Sequence, residues 1–580
     1  MNAETITSRD PAPAELPTTP VVRVGPAWAK RVGGLHLVKV KGSFYEMGRQ
    51  HGQLLAADVA TGPMPYYRSF VEKLFGGRRF GFAGTAAFNV LQRTVGARVG
   101  AKLPAFATET VRGLADGAGL PYERLLEGCT MPDTMLWVAS RLMQVKRTGP
   151  AVYHRLALGL GCTSAIAWGS ATKDGKLLHA RNLDYHGVSC WPRTQAVVFH
   201  EPDEGQRYVS VAAAGVALGG VTAMNEAGLT LTVHQHMFTD QVKLGGTPIG
   251  VVGDLVMRTA RTLEEASRIL EAQTPIGCWT YLVADGKERR VLCHEESPYR
   301  KAARTTSSAD TTFGYANIYL DRELGETELD LYGSYWRHNH LRHTRVNALL
   351  ETNKGSLDAA SMGGILGDVG EGPCRVHGSI AMAMTVASVV FRPEDGALWV
   401  GNGEAPTSHG TFVPLSLARE DHDPELGAFR VPVPESARRA FEHFRRAYVA
   451  YVDGGDVTKA RRELGEACEL EPSQSLYHAC NGLLALADGD AEVAAAKLAH
   501  AIRLGHPDEA RVAAFHLWRG RASDLLGARE EARRAYRHVL GLRADVPVAE
   551  AARKGLRTPF TRAAASRVQI DMSLADVVSP

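Results

Sequence analysis

Cysteine is scarce in this sequence. The eight cysteines among 580 residues are scattered without close pairs, too few for a disulfide framework, and a reducing, cytoplasmic setting is expected. Charge of one sign is lacking too: the formal net charge of +3 is too small to argue for a nucleic-acid partner. No run reaches eighteen strongly apolar residues, and the nearest, 209–224, is built of alanine and glycine, so no membrane span is expected. The first twenty residues are polar and hold four prolines. They lack the apolar core of a signal peptide and read, through residue 24, as a disordered lead. There is no Gly-x-Ser-x-Gly elbow and no phosphate loop, and Gly159-Leu160-Gly161 lacks the third glycine of a dinucleotide fingerprint. What remains, 45% hydrophobic and 22% charged residues, is ordinary for a globular chain of two to four domains.

The informative stretch is Gly159-Leu160-Gly161-Cys162-Thr163-Ser164. A thiol with an ordinary pKa of about 8.5 needs a base at neutral pH, and an α-amine on the same residue, with a pKa of about 7.7 to 8, can supply one. That amine exists only if the Gly161–Cys162 bond is cut. Gly161 suits the cut, since without a Cβ it tolerates strained angles and leaves its carbonyl open to the sulfur. The apolar stretch 163–171 runs into Lys173-Asp174-Gly175-Lys176, a hairpin signal, and returns as 177–185, carrying Arg181 and Asp184 back toward the cysteine. A two-residue turn leaves Asp184 about 10 Å along the strand from the position opposite Cys162. Residues three apart point to opposite faces of a regular strand, so Arg181 and Asp184 share a site only if the strand ends or bulges near Asn182. Taken alone, a cysteine opening an apolar strand is more often a core thiol.

Cys-Thr-Ser, an apolar strand and then Ala-Arg-Asn-Leu-Asp-Tyr at 180–185 resemble the N-terminal-nucleophile (Ntn) hydrolases that group penicillin acyltransferase, acid ceramidase, N-acylethanolamine acid amidase and bile salt hydrolase. Gly-Ser-Phe-Tyr-Glu-Met-Gly-Arg-Gln-His-Gly at 42–52 is a second, independent match. The resemblance implies an α+β fold, an αββα sandwich of two antiparallel sheets between helical layers. It also implies an autoproteolytic amidase or acyltransferase acting on an N-acylated small molecule, with Cys162 as nucleophile and Arg181 and Asp184 holding its amine and the substrate. Both lie somewhat further from the cysteine than the group's pattern, which reads as a longer hairpin. Asn317, in Gly314-Tyr315-Ala316-Asn317, becomes the oxyanion donor, with an ordinary turn asparagine as the alternative. Arg337 is the better positional match for the group's active-site arginine and Arg342 the second. Gln235 and Tyr185 are assigned to substrate binding. No metal is expected, since His234 and His236 read as a polar strand face. No cofactor is called for, acyl-CoA being considered as an acyl donor. Ester or phospholipid hydrolysis, and a non-catalytic scaffold, are the alternatives; Cys374 is a rival nucleophile without a comparable constellation.

The rest of the chain divides around this core. Residues 25–161 read as a mostly helical propeptide, broken at Gly62-Pro63, Gly76-Gly77, Gly119-Leu120-Pro121 and Met131-Pro132, which stays packed on the larger fragment as a heterodimer after cleavage. The core spans 162–419, and 420–436, with Pro424, Pro432 and Pro434, is expected to be a linker. Residues 437–545 carry an internal repeat: Gly455, Gly489 and Gly527 each open a helix with Ala460, Ala494 or Ala532 five residues on. The spacing resembles tetratricopeptide repeats. Such repeats offer a surface for a protein partner, or serve as a structural appendage. The remainder, 546–580, is expected to be a poorly ordered tail.

Overall fold

A computed structural model describes residues 15–76, 81–148, 161–236, 239–307, 309–329, 333–370 and 376–577. Its strands fall into two large sheets. The first has ten, in the order Val22–Val24, Ala27–Val32, Leu35–Gly42, Gln195–Pro202, Tyr208–Ala213, Thr222–Asn225, Leu229–Gln235, Trp279–Asp285, Arg290–Glu296 and Lys301–Thr305. All neighbours are antiparallel except Leu35–Gly42 and Gln195–Pro202, which run parallel because the intervening helices and the Gly161–Asp184 hairpin form a crossover. The second sheet follows the order Thr312–Tyr315, Gly161–Ala167, Leu178–Asp184, Thr385–Arg392, Ala397–Gly401, Thr411–Ser416 and Asp421–His422.

Each sheet is apolar on both faces, so both must be covered. Val197, Phe199, Val209 and Val211 of the first sheet meet Val389, Phe391, Val400 and Val413 of the second in a common core. On its outer face the second sheet is closed by Val346, Leu349, Met362 and Ile365 from the helices Gly333–Thr352 and Ala359–Leu366. Helices before and after the Gly161–Asp184 hairpin cover the first sheet's outer face. The result is the expected αββα sandwich. Among the described residues no helix is long and apolar enough to cross a membrane.

The 42–52 segment owes its composition to packing. Ser43 caps the helix Phe44–Leu54 in a reciprocal box with Glu46. Gly48 and Gly52 lie against the helix Ala105–Ala118, where a Cβ on Gly48 would stand 2.1 Å from the Thr110 carbonyl oxygen. Gly113 and Gly117 answer from the other helix, 2.0 Å and 2.1 Å from the carbonyl oxygens of Tyr45 and Arg49 by the same measure.

Several expected boundaries move. Within the 1–24 lead, Val22–Val24 is a sheet strand, and residues 1–14 lie outside the described residues. In the 25–161 region the strand Leu35–Gly42 agrees with the strand-like alternation at 36–40, and Ala27–Val32 adds a further strand before the helices. The helix Tyr122–Thr148 runs through Pro132, because the buried face of Met131, Leu136 and Ala139 outweighs one lost backbone bond. The 420–436 linker contributes the edge strands Asp421–His422 and Phe429–Arg430, anchored by Phe429 stacking on Phe412 at 4.7 Å. The 546–580 tail is a helix, Val546–Arg557, followed by the strand pair Ile570–Asp571 and Asp576–Val577, with Ile570, Met572, Leu574 and Val577 buried.

The repeats form stacked antiparallel helices, Glu435–Val452 through Arg529–Val539. Gly455, Gly489 and Gly527 occupy the left-handed turn before each second helix, with φ of 66°, 87° and 78°. Ala460, Ala494 and Ala532 are fully buried where paired helices touch. Gly76-Gly77, Gly159-Leu160 and Cys374 fall wholly or partly outside the described residues.

Candidate active site

The hairpin of Gly161–Ala167 and Leu178–Asp184 is wider than its Asp-Gly turn implies. A single 3-10 turn, Gly169–Ala171, is inserted before Gly175, and the register becomes Gly161 opposite Asp184, Cys162 opposite Leu183 and Ser164 opposite Arg181. Asp184 is thereby brought level with the Gly161–Cys162 bond. No bulge in this strand is needed. Residues opposite each other share a face, so Arg181 lies with Cys162 and Ser164 on the face toward the other sheet, while Asp184 lies with Gly161 on the helix side. The bulge expected near Asn182 is thus absent, and a register shift lies instead in the neighbouring strand, between Thr385 and Ala387.

Arg181 is almost fully buried and bridges the two sheets. Its Nη2 donates to Cys162 Sγ at 3.3 Å and to the Val233 carbonyl at 2.8 Å, and its Nη1 to the Val221 carbonyl at 2.6 Å and to Thr222 Oγ1. No carboxylate among the described residues pairs with it. On the other side Asp184 Oδ1 accepts from Thr385 at 2.5 Å, Oδ2 stands 3.9 Å from Arg342, and Oδ2 has no hydrogen-bond partner. Burial pushes this carboxyl up, opposed by Arg342 and Thr385. A Cβ on Gly161 would sit 2.9 Å from that oxygen and 3.3 Å from Met382 Sδ. Gly161 is therefore glycine for want of space; it is not among the positive-φ residues.

Asn317 reaches Cys162 through strand register. Tyr315 pairs with Ser164, and two further residues along each chain place Asn317 opposite Cys162. Its φ is 40°, a left-handed state asparagine tolerates. Its Oδ1 accepts from the Cys162 backbone N–H at 2.5 Å and its Nδ2 donates to the Gln235 carbonyl at 2.8 Å.

Arg337 is a correction. It points away from Cys162 and is held by Asp508 at 2.6 Å and Asp545 at 2.6 and 3.0 Å. Arg342 takes the site position, donating to the Cys162 carbonyl and Thr163 Oγ1, each at 2.9 Å, and to Asn317 Oδ1 at 3.1 Å and Asn339 Oδ1 at 2.8 Å. Sequence reasoning missed Asn339 and ranked Arg342 second. The signal was helical periodicity: Tyr335, His338, Asn339, Arg342, Val346 and Leu349 form the buried stripe, and Arg337 lies off it.

Beside the sulfur is a cavity of about 140 Å³. Met64, Tyr67, Leu103 and Pro132 wall it from the segment before Cys162, and Leu218, Val251 and Trp279 from the segment after. Tyr185 and Gln235 also line it, and Gln235 Nε2 is buried without a hydrogen-bond partner. Cys129 shares the lining, but burial pushes its thiol up to about 12. His234 gives its Nε2 to Ser164 at 3.0 Å and burial holds it well below the usual imidazole value, while His236 is spent on Glu328 and Thr280 at 3.0 and 2.8 Å. No cluster of metal-ligating side chains is found among the described residues.

Residues 170–405 match the family model described as acyl-coenzyme A:6-aminopenicillanic acid acyl-transferase. The match includes Arg181, Asp184, Asn317 and Arg342 and begins just after Cys162. An Archaeoglobus fulgidus protein, described as uncharacterized, is 27% identical over 262 residues, which are 44% of this chain and 42% of that one. The chain thus spans less than half the length of that relative. Among solved structures, a Caenorhabditis elegans N-acylethanolamine-hydrolyzing acid amidase ortholog covers 40% of this chain and 93% of its own, at 16% identity and a TM-score of 0.28. Residues 170–405 of the chain are thus similar to the acyl-transferase family that the model describes.

Proposed function

We propose that the chain is a self-processing amidohydrolase or acyltransferase of N-acylated small molecules, with Cys162 as its nucleophile. The observation that carries this reading is the convergence on one residue: a guanidinium N–H on the sulfur, Asn317 and Arg342 on its backbone, and an apolar cavity beside it. In processing, Cys162 Sγ attacks the Gly161 carbonyl. The C–S bond forms as the C–N bond breaks, the nitrogen takes a proton, and water then releases residues 1–161 as a carboxylate. The freed amine keeps Asn317 Oδ1 as its acceptor, the bond the Cys162 N–H already makes, and Asp184, level with the cut bond in the strand register, supplies the nearest carboxylate.

In turnover the amine accepts the thiol proton and Sγ attacks the acyl carbonyl. Arg181 favours negative charge at the sulfur. Asn317 Nδ2 has two N–H groups, one engaged by Gln235, leaving the other for the oxyanion. The leaving amine takes up the proton, a thioester remains, and water or an acceptor amine removes the acyl group. The walls of the cavity suit an apolar acyl chain.

The test is capture of the intermediate. Protein incubated with N-acyl p-nitroanilides of increasing chain length, then acid-quenched, is expected to carry the acyl mass on the peptide bearing Cys162. Anilide release that persists unchanged in Cys162→Ala contradicts the proposal.

A further inference from the structure

The Gly333–Thr352 helix has two sets of partners. Its buried stripe delivers Asn339 and Arg342 to Cys162 and Asn317. Its first turns are gripped by residues from the far end of the chain. Arg337 spans Asp508 and Asp545, on either side of the last repeat pair. Ser334 accepts from Arg511 at 2.6 Å and donates to Asp576. Arg511 is itself buried, pairs with Asp576 at 2.6 Å and donates to the carbonyls of Leu574 and Ala575 at 2.9 Å each. Between the two ends, His338 Nε2 lies 3.3 Å from Met382 Sδ, the atom that also crowds Gly161. Arg337 and Arg342 are five residues apart, about 7.5 Å along one helix, so a shift of the gripped end is carried to the inner one.

We propose that the helical repeats and the C-terminal strand pair are a positioning clamp on this helix, and that Arg337, Asp508, Asp545, Arg511 and Asp576 set the placement of Arg342 and thereby the reactivity of Cys162. The catalytic consequence rests on the reading of Cys162 as nucleophile; the clamp itself does not. None of these five residues touches the sulfur, so their role is positional. The bonds tie the sandwich to the appended domain, which makes that domain part of the site's support.

The test uses full-length Arg337→Ala, Arg337→Lys and Asp545→Asn. Two readouts are taken on each: the pH profile of Cys162 alkylation by iodoacetamide, mapped by peptide mass with added glutathione as reagent standard and the buried Cys190 as the check on folding, and the rate of self-cleavage. Arg337→Ala is expected to move the Cys162 profile and slow self-cleavage about tenfold or more, with Cys190 unchanged. Arg337→Lys, which keeps a cation for the two carboxylates, recovers part of both. Should Arg337→Ala fail to fold, Asp545→Asn, which leaves Asp508 to Arg337, shows the same change at smaller size. Cys162 profiles that match the wild type, or that shift equally with Cys190, overturn the clamp. If the wild type never self-cleaves but the alkylation profiles respond, the clamp stands and the processing step alone falls.

Discussion

Arg181 and Arg342 approach Cys162 from opposite faces of one sheet, and both are buried away from solvent. Two carboxyls buried elsewhere in the same half of the molecule give a measurable pH signature. Asp133, beside Trp279 and Glu296 and bonded to the Ile249 N–H, and Asp254, beside Tyr208 and Arg258 and bonded to the Gly220 N–H, are each pushed up by burial to about 7 from 3.8. Between those values the folded state holds protons that the unfolded state has lost, so stability falls as pH rises from about 4 to about 7, by at most about 1.4 kcal/mol per pH unit for each group. Thermal melts from pH 4 to 8 are expected to flatten over that window in Asp133→Asn/Asp254→Asn; an unchanged slope refutes the assignment. At this scale the family resemblance points to Asn317 and Asp184, both of which the fold brings beside Cys162, while a two-residue turn predicts Asp184 three residues off that register. The resemblance misled at Arg337, because motif position was weighed above the helix stripe on which Arg342 sits.

Elements are set by what they pack against. The Gly48/Gly52 and Gly113/Gly117 pairs let two helices approach until each backbone lies in the other's groove, which no larger residue permits. Gly113→Ala is expected to cost about 1 to 3 kcal/mol through overpacking. Gly465, inside the helix Val457–Leu470 with nothing within 4 Å of its Cβ position, is expected to respond in the opposite sense, Gly465→Ala adding up to about 1 kcal/mol through helix propensity. Urea denaturation of both variants checks the pair, and equal signs contradict it. Helix and strand identity was legible here from periodicity and caps, as at Thr262, whose side chain accepts from Glu265. The hairpin length was not, because a local 3-10 turn competes with the Asp-Gly signal. The 420–436 and 546–580 stretches read as irregular on their prolines and position, yet Phe429, Ile570 and Leu574 supply enough apolar surface to fix short strands there.

At the scale of the molecule, the segment before Cys162 is built into the fold rather than appended to it. Leu35–Gly42 lies within the ten-stranded sheet beside Gln195–Pro202, and Met64, Tyr67 and Leu103 wall the cavity. Cleavage at Gly161 is accordingly expected to leave the two pieces associated. The alternation of strands and helices suits a sandwich, but its layer order is implied by the family resemblance alone, whereas the spaced glycines mark the repeats directly. Contacts between Arg337 or Ser334 and residues about 170 to 240 positions later leave no periodic trace in a single sequence. The central claim, that Cys162 cuts its own chain to become an N-terminal nucleophile, is tested most directly by intact mass and N-terminal sequencing of purified wild type beside Cys162→Ala. The account predicts fragments of 161 and 419 residues, roughly 17 and 45 kDa by share of the 62.6 kDa chain, co-eluting in the wild type, with cysteine opening the larger, and a single intact chain in the variant. A folded wild type that remains one chain, or a Cys162→Ala variant that is cut at the same bond, would contradict it.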